Sequence, residues 1–422
     1  MADIVIFYEL PERELNNANL LKAEFEKRGY SVDILGYYNY RELIFPRKYK
    51  PKLLIGQAGY NNNDIERYTV RFKPKIDKIL NLRYEQVIAK RILDSKAHYP
   101  KEYMKKASHV CWSEKIKQDM MAEGIDEKNL PVTGDIKTDF SNHRFDSFFK
   151  TKDQLASEFN LDSSKEWILF ISSFTFNEKD SKRLMSMNHN LDDGKYMQKW
   201  NVESKAIVME WFEKFLKAHP EKEFIYRPHP VEFNVLDEDS TISILDEKYP
   251  NFHYINKYAI QEWIRPCDYL NTVISTSIID VYLLEKQCNI LRPVELNPDF
   301  DNPLLVGAKT ICTYDEFEKL NTDKNTDEFP VSREMIGQYY DFGDKLAYER
   351  ICDYAEKMIN DDSSRFHRLK FIIKRSLDVP KLIPAVIKSA IKNKSSTSKT
   401  KDNRSIYEKN AKKIREIVNQ SS

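Results

Sequence analysis

Residues 223–232 read EFIYRPHPVE and place an arginine and a histidine directly after an apolar run. The run 224–226 has the composition of a buried β-strand, and the two prolines favour extended chain over helix. Arg227 and His229 therefore lie on a stiff segment at the carboxyl end of a predicted strand. Ligands of open α/β sheets bind beyond the carboxyl ends of the strands, and an arginine fork beside a histidine suits a phosphate. An ordinary strand-to-loop corner with a surface arginine is the alternative.

The length and charge of the chain limit the classes of protein that it can represent. Its 422 residues exceed the usual size of a single hydrophobic core, which predicts two domains. The 67 lysines and arginines nearly balance the 66 aspartates and glutamates, so the net charge of +1 gives no support for a nucleic-acid partner. We expect no such partner.

Cysteine usage and hydropathy indicate the compartment. The five cysteines are scattered and form no CxxC pair, which is typical of buried thiols in a reducing compartment. The sequence has no signal-peptide pattern, and no apolar run reaches the roughly 20 residues needed to cross a bilayer. These features predict a soluble, cytoplasmic protein.

Short apolar runs alternate with helical patterns along the whole chain. Runs with the composition of buried strands occupy 4–8, 32–35, 53–55, 79–82 and 109–112 in the first half. A second series begins at 167–171, after a helical pattern at 153–159, and includes the run before Arg227. Such alternation is typical of βαβ units. It predicts an α/β protein with two doubly wound parallel-sheet domains.

Domain boundaries follow from the order of these patterns. We predict a first α/β domain at 1–140, a linker at 141–165, a second α/β domain at 166–360 and a basic tail at 361–422. The polar stretch 177–199 is long for a connection and predicts a substrate loop or lid. The tail interleaves basic and large apolar residues and then becomes rich in lysine and serine. It can lie on an anionic membrane surface or pack as a helix across the domains.

Three polar groups follow predicted strands outside the stretch 223–232. Glu85 comes just past the run 79–82, where it can act as a general base or simply favour a helix N-terminus. Ser172 and Ser173 follow the run 167–171. Their hydroxyls can hydrogen-bond phosphate or sugar, and serine is also a common helix N-cap.

A hydroxyl-rich segment lies between a predicted strand and a predicted helix later in the chain. Ser275, Thr276 and Ser277 bring hydroxyls and backbone N–H groups to a helix N-terminus, which can bind an anion. Asp280, in the first helical turn, can accept hydrogen bonds from ribose or can simply complement the helix dipole. Because this segment and Arg227 end strands of the same predicted sheet, we expect them to share a pocket.

No metal site or cofactor is predicted. The acidic run 237–239 has no histidine at ligand spacing and is interpreted as solvated charge. The only small molecule that the patterns imply is a nucleotide-activated co-substrate.

The order of elements from 109 to 171 resembles the domain junction of GT-B glycosyltransferases and of their nucleotide-sugar epimerase relatives. The element RPHPVE, followed by Ser-Thr-Ser at 275–277, is similar to bacterial capsule and surface-polysaccharide transferases of the GT-B type. The groups concerned are Kdo-type sugar transferases and, more distantly, teichoic-acid glycerophosphate transferases. In these families the two segments contact the phosphate and nucleotide of a CMP- or CDP-activated donor. The resemblance implies donor-binding roles for Arg227, His229, Glu232, Ser275, Thr276, Ser277 and Asp280.

The resemblance implies a metal-independent glycosyltransferase that moves a sugar to a growing surface polysaccharide or lipid-linked glycan. The sequence has no Trp-His-Gly element and no acidic-acidic-Gly motif, so the family's catalytic base is not carried over. Glu85 and His229 are the catalytic residues that we predict. The alternatives are a CDP-polyol phosphotransferase, a nucleotide-sugar 2-epimerase and a non-catalytic assembly scaffold docked through the tail. A peripheral position at the inner face of the membrane is compatible with the basic tail.

Overall fold

The computed structural model describes residues 1–37, 47–72, 76, 78–96, 98–176, 191–229, 232, 240–323, 328–361 and 407–420. Contacts within the chain divide it into two units. The first comprises Met1–Gln86, Ala97–Asp139 and Gly337–Ser422, and the second comprises Val87–Lys96 and Phe140–Ile336. Each unit has its own parallel sheet, as the sequence predicts.

Five strands of the described residues form the sheet of the first unit. They are β1 (Ile4–Tyr8), β2 (Val32–Gly36), β3 (Leu53–Gly56), β4 (Ile79–Asn81) and β5 (Ser108–His109). All pairs are parallel, in the spatial order β2-β1-β3-β4-β5. The order reverses direction between β1 and β3, which is the position where ligands of doubly wound sheets bind.

Another five strands form the sheet of the second unit. They are β6 (Trp167–Ile171), β7 (Glu223–Arg227), β8 (Phe252–Tyr254), β9 (Tyr269–Thr272) and β10 (Asn289–Ile290). All pairs are parallel, in the order β10-β9-β6-β7-β8. Ile171 lies opposite both Arg227 and Thr272, so β6, β7 and β9 end side by side. Here the order reverses between β6 and β9, next to the predicted serine segments.

The α-helices of the described residues lie between the strands or follow the last strand. In chain order they are α1 (Pro11–Lys27), α2 (Asn62–Thr69), α3 (Lys90–Leu93), α4 (Glu114–Ala122), α5 (Lys152–Phe159), α6 (Leu191–Ala218), α7 (Ser240–Lys248), α8 (Ile260–Ile264), α9 (Ile278–Leu283), α10 (Tyr314–Thr322), α11 (Arg333–Tyr339), α12 (Ala347–Asn360) and α13 (407–420). Within the described ranges, every helix is too short or too polar to cross a membrane.

Helix α6 is longer than its sequence pattern suggests. The predicted loop 177–199 is wrong for its second part, because α6 begins at Leu191. Residues 177–190 lie outside the described residues. Trp200 is buried, and the ring of Tyr196 packs 4.7 Å from that of Phe300. These aromatic contacts extend the apolar face of α6 by more than a turn, although Gly194 and the charged residues around it obscure the pattern in the sequence.

An aromatic core holds the second sheet against α6. The ring of Phe212 on α6 lies 4.8 Å from that of Phe170 on β6 and 4.6 Å from that of Phe224 on β7. All three side chains are fully buried. Such ring pairs add about 0.5–1.5 kcal/mol beyond the area that they bury. This packing fixes the strands whose ends carry the predicted donor-binding residues.

Helix α12 belongs to the first unit, whereas the predicted boundaries assign 166–360 to the second domain. Arg28, just after α1, donates to Asp353 Oδ1 at 2.8 Å and to Glu356 Oε2 at 2.7 Å, both on α12. The chain therefore returns to its first unit after completing the second. Charge pairs between segments more than 300 residues apart in sequence leave no local pattern, which explains the difference.

The predicted basic tail lies mostly outside the described residues, since 362–406 and 421–422 are not described. Its helix α13 packs against α1 in the first unit. Lys27 Nζ donates to the carbonyl oxygen of Val418 at 3.1 Å, and Arg415 pairs with Glu26 at 2.8 Å. For this part of the tail, helical packing is what the structure describes, and membrane contact stays a prediction.

Four of the five cysteines are buried free thiols, as expected: Cys111, Cys267, Cys288 and Cys352. Cys312 is exposed, contrary to the expectation of buried thiols. It lies just before α10, where its backbone N–H donates to Glu316 Oε2 at 3.2 Å. Burial raises the pKa of Cys111 and Cys288 to about 12, which keeps both thiols protonated and inert.

His109 on β5 is buried in its neutral form. Its Nε2 lies 2.9 Å from the carbonyl oxygen of Met104, and its Nδ1 lies 3.2 Å from Asn81 Nδ2. The imidazole therefore donates to the carbonyl through Nε2 and accepts from the amide through Nδ1. Burial and the nearby positive charge of Arg83 lower the pKa of His109 from 6.5 to about 3.

Acid is therefore expected to destabilise the first unit through His109. The folded pKa is depressed, so the stabilisation is complete above pH 6.5 and is lost as the pH falls toward 3. At about 1.4 kcal/mol per pH unit, wild type should lose about 2 kcal/mol between pH 6.5 and 5 through this residue. The measurement is the free energy of unfolding from pH 7 to 4 in wild type and His109→Gln. The free energy of unfolding should fall less steeply with decreasing pH in the variant than in wild type. Equal pH dependence in the two proteins would contradict a neutral buried imidazole.

Candidate functional site

The carboxyl edge of the second sheet is held together by hydrogen bonds between adjacent strand ends. The N–H of Ser172 donates to the carbonyl oxygen of Arg227 at 2.9 Å, which joins the ends of β6 and β7. Thr272 Oγ1 donates to the carbonyl oxygen of Ile171 at 3.0 Å, which joins the ends of β9 and β6. The segments that follow these strands therefore start from fixed and neighbouring points.

A buried hydrogen-bond network links two of the predicted residues, Ser172 and Glu232. The hydroxyl of Tyr226 lies 2.9 Å from Glu232 Oε1 and 3.0 Å from Ser172 Oγ. The other oxygen of Glu232 accepts the backbone N–H of His229 at 2.7 Å. Glu232 is only 6% exposed, and Lys205 Nζ lies 3.7 Å from its Oε1. Burial raises the pKa of Glu232, and the charge of Lys205 opposes that rise.

The turn at His229 is closed by the same carboxylate. The backbone N–H of Glu232 donates to the carbonyl oxygen of His229 at 2.8 Å, and the N–H of His229 donates back to the carboxylate. Pro230 and Val231, between them, lie outside the described residues. Glu232 thus positions the segment that carries His229, and its direct contact with a donor stays a prediction.

Arg227 uses its guanidinium to hold the loop after β8. Nη1 donates to the carbonyl oxygens of Ile255 at 2.6 Å and Lys257 at 2.8 Å, and Nη2 donates to that of Tyr258 at 2.8 Å. Its Nε is buried without a partner among the described residues. Burial lowers the pKa of Arg227 to about 10. The geometry supports a role in ordering the sheet edge, and a direct phosphate contact stays a prediction.

Ser173 has a buried hydroxyl that no described residue uses. It is 7% exposed, and its Oγ has no hydrogen-bond partner among the described residues. The loop around it is nevertheless fixed, because Phe174 N–H donates to Ser172 Oγ at 3.3 Å and Thr175 N–H donates to Asn201 Oδ1 at 3.0 Å. Ser173 therefore offers a buried hydroxyl on a fixed loop, at the position where ligands of doubly wound sheets bind.

The hydroxyl segment 275–277 forms a turn before α9. Ser275 Oγ accepts the N–H of Ser277 at 3.1 Å, and the side chain of Ser277 makes no capping bond to the helix. Thr276 is exposed, and the two serines are half-buried. The structure therefore places these hydroxyls at the carboxyl end of β9. Their contact with a phosphate or base stays a prediction.

Asp280 is buried and engaged within its own unit. Its Oδ1 accepts from Ser141 Oγ at 2.8 Å and from Gln261 Nε2 at 3.0 Å. The carboxylate thereby ties α9 to α8 and to the segment that enters the second unit. These bonds support a structural role, and the predicted contact with ribose stays a prediction.

Glu85, the predicted general base, lies in the first unit at the end of β4. Its side chain is 55% exposed and pairs with Arg13 at 3.4 Å, a type of surface ion pair that contributes little to stability. Its role as a base stays a prediction.

Sequence reasoning missed several residues of the second sheet edge. Tyr226 and Lys205 complete the network around Glu232, and Asn201 holds the loop of Ser173. A hydroxyl in the otherwise apolar run 224–226 was a signal for Tyr226. Lys205 and Asn201 lie on the polar-looking part of α6, where nothing in the sequence separates them from solvated residues.

Among the described residues, no three histidine, cysteine, aspartate or glutamate side chains are grouped as a metal ion would require. The acidic run 237–239 lies outside the described residues.

Comparisons with known proteins bear on the fold. No family model matches the chain, and no curated protein matches it in sequence. Among solved structures, it is similar to UDP-GlcNAc 2-epimerase from Neisseria meningitidis bound to UDP-GlcNAc, with a TM-score of 0.51 and 13% identity over 84% of this chain and 99% of that chain. The fold is of the GT-B type.

Two further solved structures share this architecture. UDP-GlcNAc 2-epimerase from Methanocaldococcus jannaschii aligns with a TM-score of 0.50 and 14% identity, over 84% of this chain and 99% of that chain. The wall teichoic acid polymerase TagF aligns with a TM-score of 0.51 and 13% identity, over 85% of this chain and 89% of that chain. At such identities the similarity shows the fold alone, and it confirms the prediction of two doubly wound parallel-sheet units. All three neighbours are enzymes, two epimerases and a polymerase.

Proposed function

We propose that this protein is a glycosyltransferase that binds a nucleotide-activated sugar, of the CMP or CDP type, at the carboxyl edge of its second sheet. The observation that carries the proposal is Ser173, a buried hydroxyl without a partner among the described residues, at the reversal of strand order between β6 and β9. Unused buried hydroxyls are rare because they cost free energy, so such a group favours a ligand. The hydrogen-bond network of Ser172, Tyr226 and Glu232 fixes side chains at the same sheet edge, which also favours a binding site there.

The chemistry required at this site is electrostatic. When the sugar leaves, negative charge develops on the nucleotide phosphate, and fixed donors stabilise it best when they need no rearrangement. The turn held by Glu232 presents His229, whose imidazole can donate or transfer a proton. Ser173 and the hydroxyls at 275–277 provide further donors, while Arg227 keeps the edge in shape. No metal is needed for this arrangement.

The remaining components of the proposal concern the second substrate and the place of the reaction. The first unit would hold the acceptor, a growing surface polysaccharide or lipid-linked glycan, with Glu85 as its general base. With such an acceptor, the protein would act in the cytoplasm, at the inner face of the membrane. The basic tail would contact the membrane surface.

A nucleotide-sugar 2-epimerase is the second candidate function. It is favoured by two epimerase structures whose chains align over 99% of their length. A CDP-polyol phosphotransferase is favoured in the same way by TagF, of which 89% is aligned. These reactions differ in products. Isomerised donor without an acceptor indicates the epimerase, phosphate incorporated into the polymer indicates the phosphotransferase, and released nucleotide with sugar alone in the polymer indicates the proposed transferase.

Nucleotide binding is the direct test of the donor site. One of CMP, CDP, UDP and GDP, at about 100 times its Kd, should stabilise the protein by about 2.7 kcal/mol and raise its Tm by about 5–10 °C. Ser173→Ala should weaken that nucleotide about fivefold, since a neutral hydrogen bond contributes about 1 kcal/mol. Ser157→Ala, which removes an exposed hydroxyl from α5 of the same unit, is the matched control and should bind as wild type does.

Two results would count against the donor site. If none of the four nucleotides shifts the Tm of wild type, the second sheet edge is not a nucleotide site. If Ser173→Ala and Ser157→Ala bind alike, the unused hydroxyl does not contact the ligand. A non-catalytic scaffold would further predict normal polymer with His229→Ala and loss of polymer on deleting the tail.

A further inference from the structure

The backbone at Arg83 is held in an unfavourable conformation at the end of β4. Its φ is +50°, in the left-handed region that residues with a side chain rarely adopt. Neighbouring side chains impose it, because Asn81 Oδ1 accepts the N–H of Arg83 at 3.3 Å and Gln86 Nε2 donates to its carbonyl oxygen at 3.0 Å. Strain that the surroundings enforce at a strand end is a feature of functional sites.

The guanidinium of Arg83 is buried without being satisfied. The residue is 4% exposed, and Nε and Nη1 have no hydrogen-bond partner among the described residues. Arg71, which is also buried in the first unit, shows the contrast. Its three guanidinium nitrogens donate to the carbonyl oxygens of Arg67, Gly36 and Tyr37. The fold can therefore satisfy a buried arginine, and at Arg83 the described residues do not.

The titratable groups that interact electrostatically with Arg83 do not neutralise it. They are Tyr60, Tyr99, Cys111 and His109. Burial raises the pKa of Tyr60 and Cys111 to about 12 and raises that of Tyr99, so these groups are protonated and uncharged near neutral pH. His109 is neutral for the reason given above. A buried cation surrounded by neutral groups is costly until an anion joins it.

A second unused donor lies on the adjacent loop. Gln57, after β3, is buried, and its Nε2 has no partner among the described residues. The two loops are joined because Tyr84 N–H donates to the carbonyl oxygen of Gln57 at 3.3 Å. Both follow neighbouring parallel strands, and β3 borders the reversal of strand order in this sheet. The unused groups at this edge are donors, which is the complement of an oxyanion.

We propose that Arg83 is the anchor of an oxyanion site in the first unit, with Gln57 as a second donor, that takes a phosphate or carboxylate group. The oxyanion site is inferred from these contacts alone. The further inference that the anion is part of the acceptor rests on the proposed function. An acceptor that carries a phosphate, such as a polyol phosphate or a lipid-linked glycan, or one that carries an acidic sugar would present this group.

Inorganic phosphate is the first probe, with acetate as the carboxylate probe and potassium chloride to match the ionic strength. At about ten times its Kd, the recognised anion should raise the Tm of the full-length protein by about 4 °C. Arg83→Met should abolish this rise. Its own Tm without anion should equal or exceed that of wild type, because methionine removes an uncompensated buried charge. A purely structural arginine would give a lower Tm instead.

Control variants separate this site from the donor site. Arg415→Met removes an exposed arginine of the first unit by the same substitution and should keep the full anion-dependent rise. Ser173→Ala should also keep it, whereas Arg83→Met should keep the response to nucleotide. A wild-type protein whose Tm rises with phosphate but with none of the four nucleotides would overturn the proposed function and leave the oxyanion site in place.

The remaining outcomes decide the proposal directly. A rise with phosphate alone identifies a phosphate site, and an equal rise with acetate identifies a general oxyanion site. No rise with either anion, or an equal rise in Arg83→Met, overturns the proposal. If Arg83→Met does not fold, hydrogen exchange in wild type decides it: the anion should slow exchange at residues 57–60 and 82–86, and unchanged exchange there would refute the site.

Discussion

Replacing Arg227 with methionine is expected to lower the free energy of unfolding of the second unit by about 3 kcal/mol and to abolish nucleotide binding with it. The substitution leaves the carbonyl oxygens of Ile255, Lys257 and Tyr258 without their donor. Each lost bond to a charged donor contributes about 1.5–3 kcal/mol, and removal of the buried charge offsets part of the sum. Denaturant unfolding and nucleotide titration on the same samples measure both effects.

Two further variants show whether Arg227 acts through the loop. Arg227→Lys keeps the charge, but an ammonium group cannot donate to three carbonyl oxygens as the planar guanidinium does. The free energy of unfolding and the nucleotide affinity should therefore both fall in part, and in proportion to each other. Arg91→Met, at an exposed arginine of the same unit that pairs with Asp193, should change neither. Full stability with lost nucleotide binding in Arg227→Met would instead show that the guanidinium contacts the phosphate directly.

Gly134→Ala is expected to destabilise the first unit by about 3–5 kcal/mol. Gly134 has φ +78°, and an added Cβ would meet the carbonyl oxygen of Asp341 and lie 2.6 Å from Arg350 Nη2. The strain of the left-handed backbone costs about 1–2 kcal/mol, and overpacking adds about 1–3 kcal/mol. The clash also disrupts the bonds from Arg350 to Asp341, at 2.7 Å to Oδ1 and 2.6 Å to the backbone oxygen. Thermal unfolding of the purified variant measures the loss.

Gly29 offers a matched control for the packing contribution. Its φ is +88°, and an added Cβ would meet nothing within 4 Å. Gly29→Ala should therefore cost only the backbone strain, about 1 kcal/mol. Equal losses in the two variants would show that a Cβ at position 134 causes no costly clash with Asp341 and Arg350.

The outline of the secondary structure was predictable because it depends on local patterns. The run 167–171 matches β6, and the helical pattern 153–159 matches α5, since apolar periodicity is carried by adjacent residues. Helix α6 was predicted too short because the polar residues around Gly194 hide a face whose apolar contacts are made with distant residues such as Phe300. The assignment of α12 failed for the same reason. Its partners on α1 and at Arg28 are remote in sequence.

The sequence predicted which strand ends carry the residues of the candidate site, but not which hydrogen bonds their side chains make. Arg227, Ser173 and Ser275 were expected at carboxyl ends of strands, and they lie there. The sequence could not show which of these side chains the fold uses for its own hydrogen bonds. The partners of Arg227 are backbone carbonyl groups, which every residue carries whatever its side chain. Arg83 shows the same limit, because it also follows an apolar run. The terminal nitrogens of Arg227 donate to backbone carbonyl groups, whereas Nε and Nη1 of Arg83 have no partner among the described residues.

The sequence by itself determined that this protein has two parallel α/β sheets and that polar residues follow their strands, since both depend on short-range patterns of apolar and polar residues. Only the tertiary structure decided that the terminal nitrogens of Arg227 and the carboxylate of Asp280 are engaged with their own unit. It also decided that Ser173 Oγ and Arg83 Nη1 are buried without a partner among the described residues. The physical reason is that hydrogen-bond satisfaction depends on groups that folding brings together from distant parts of the chain.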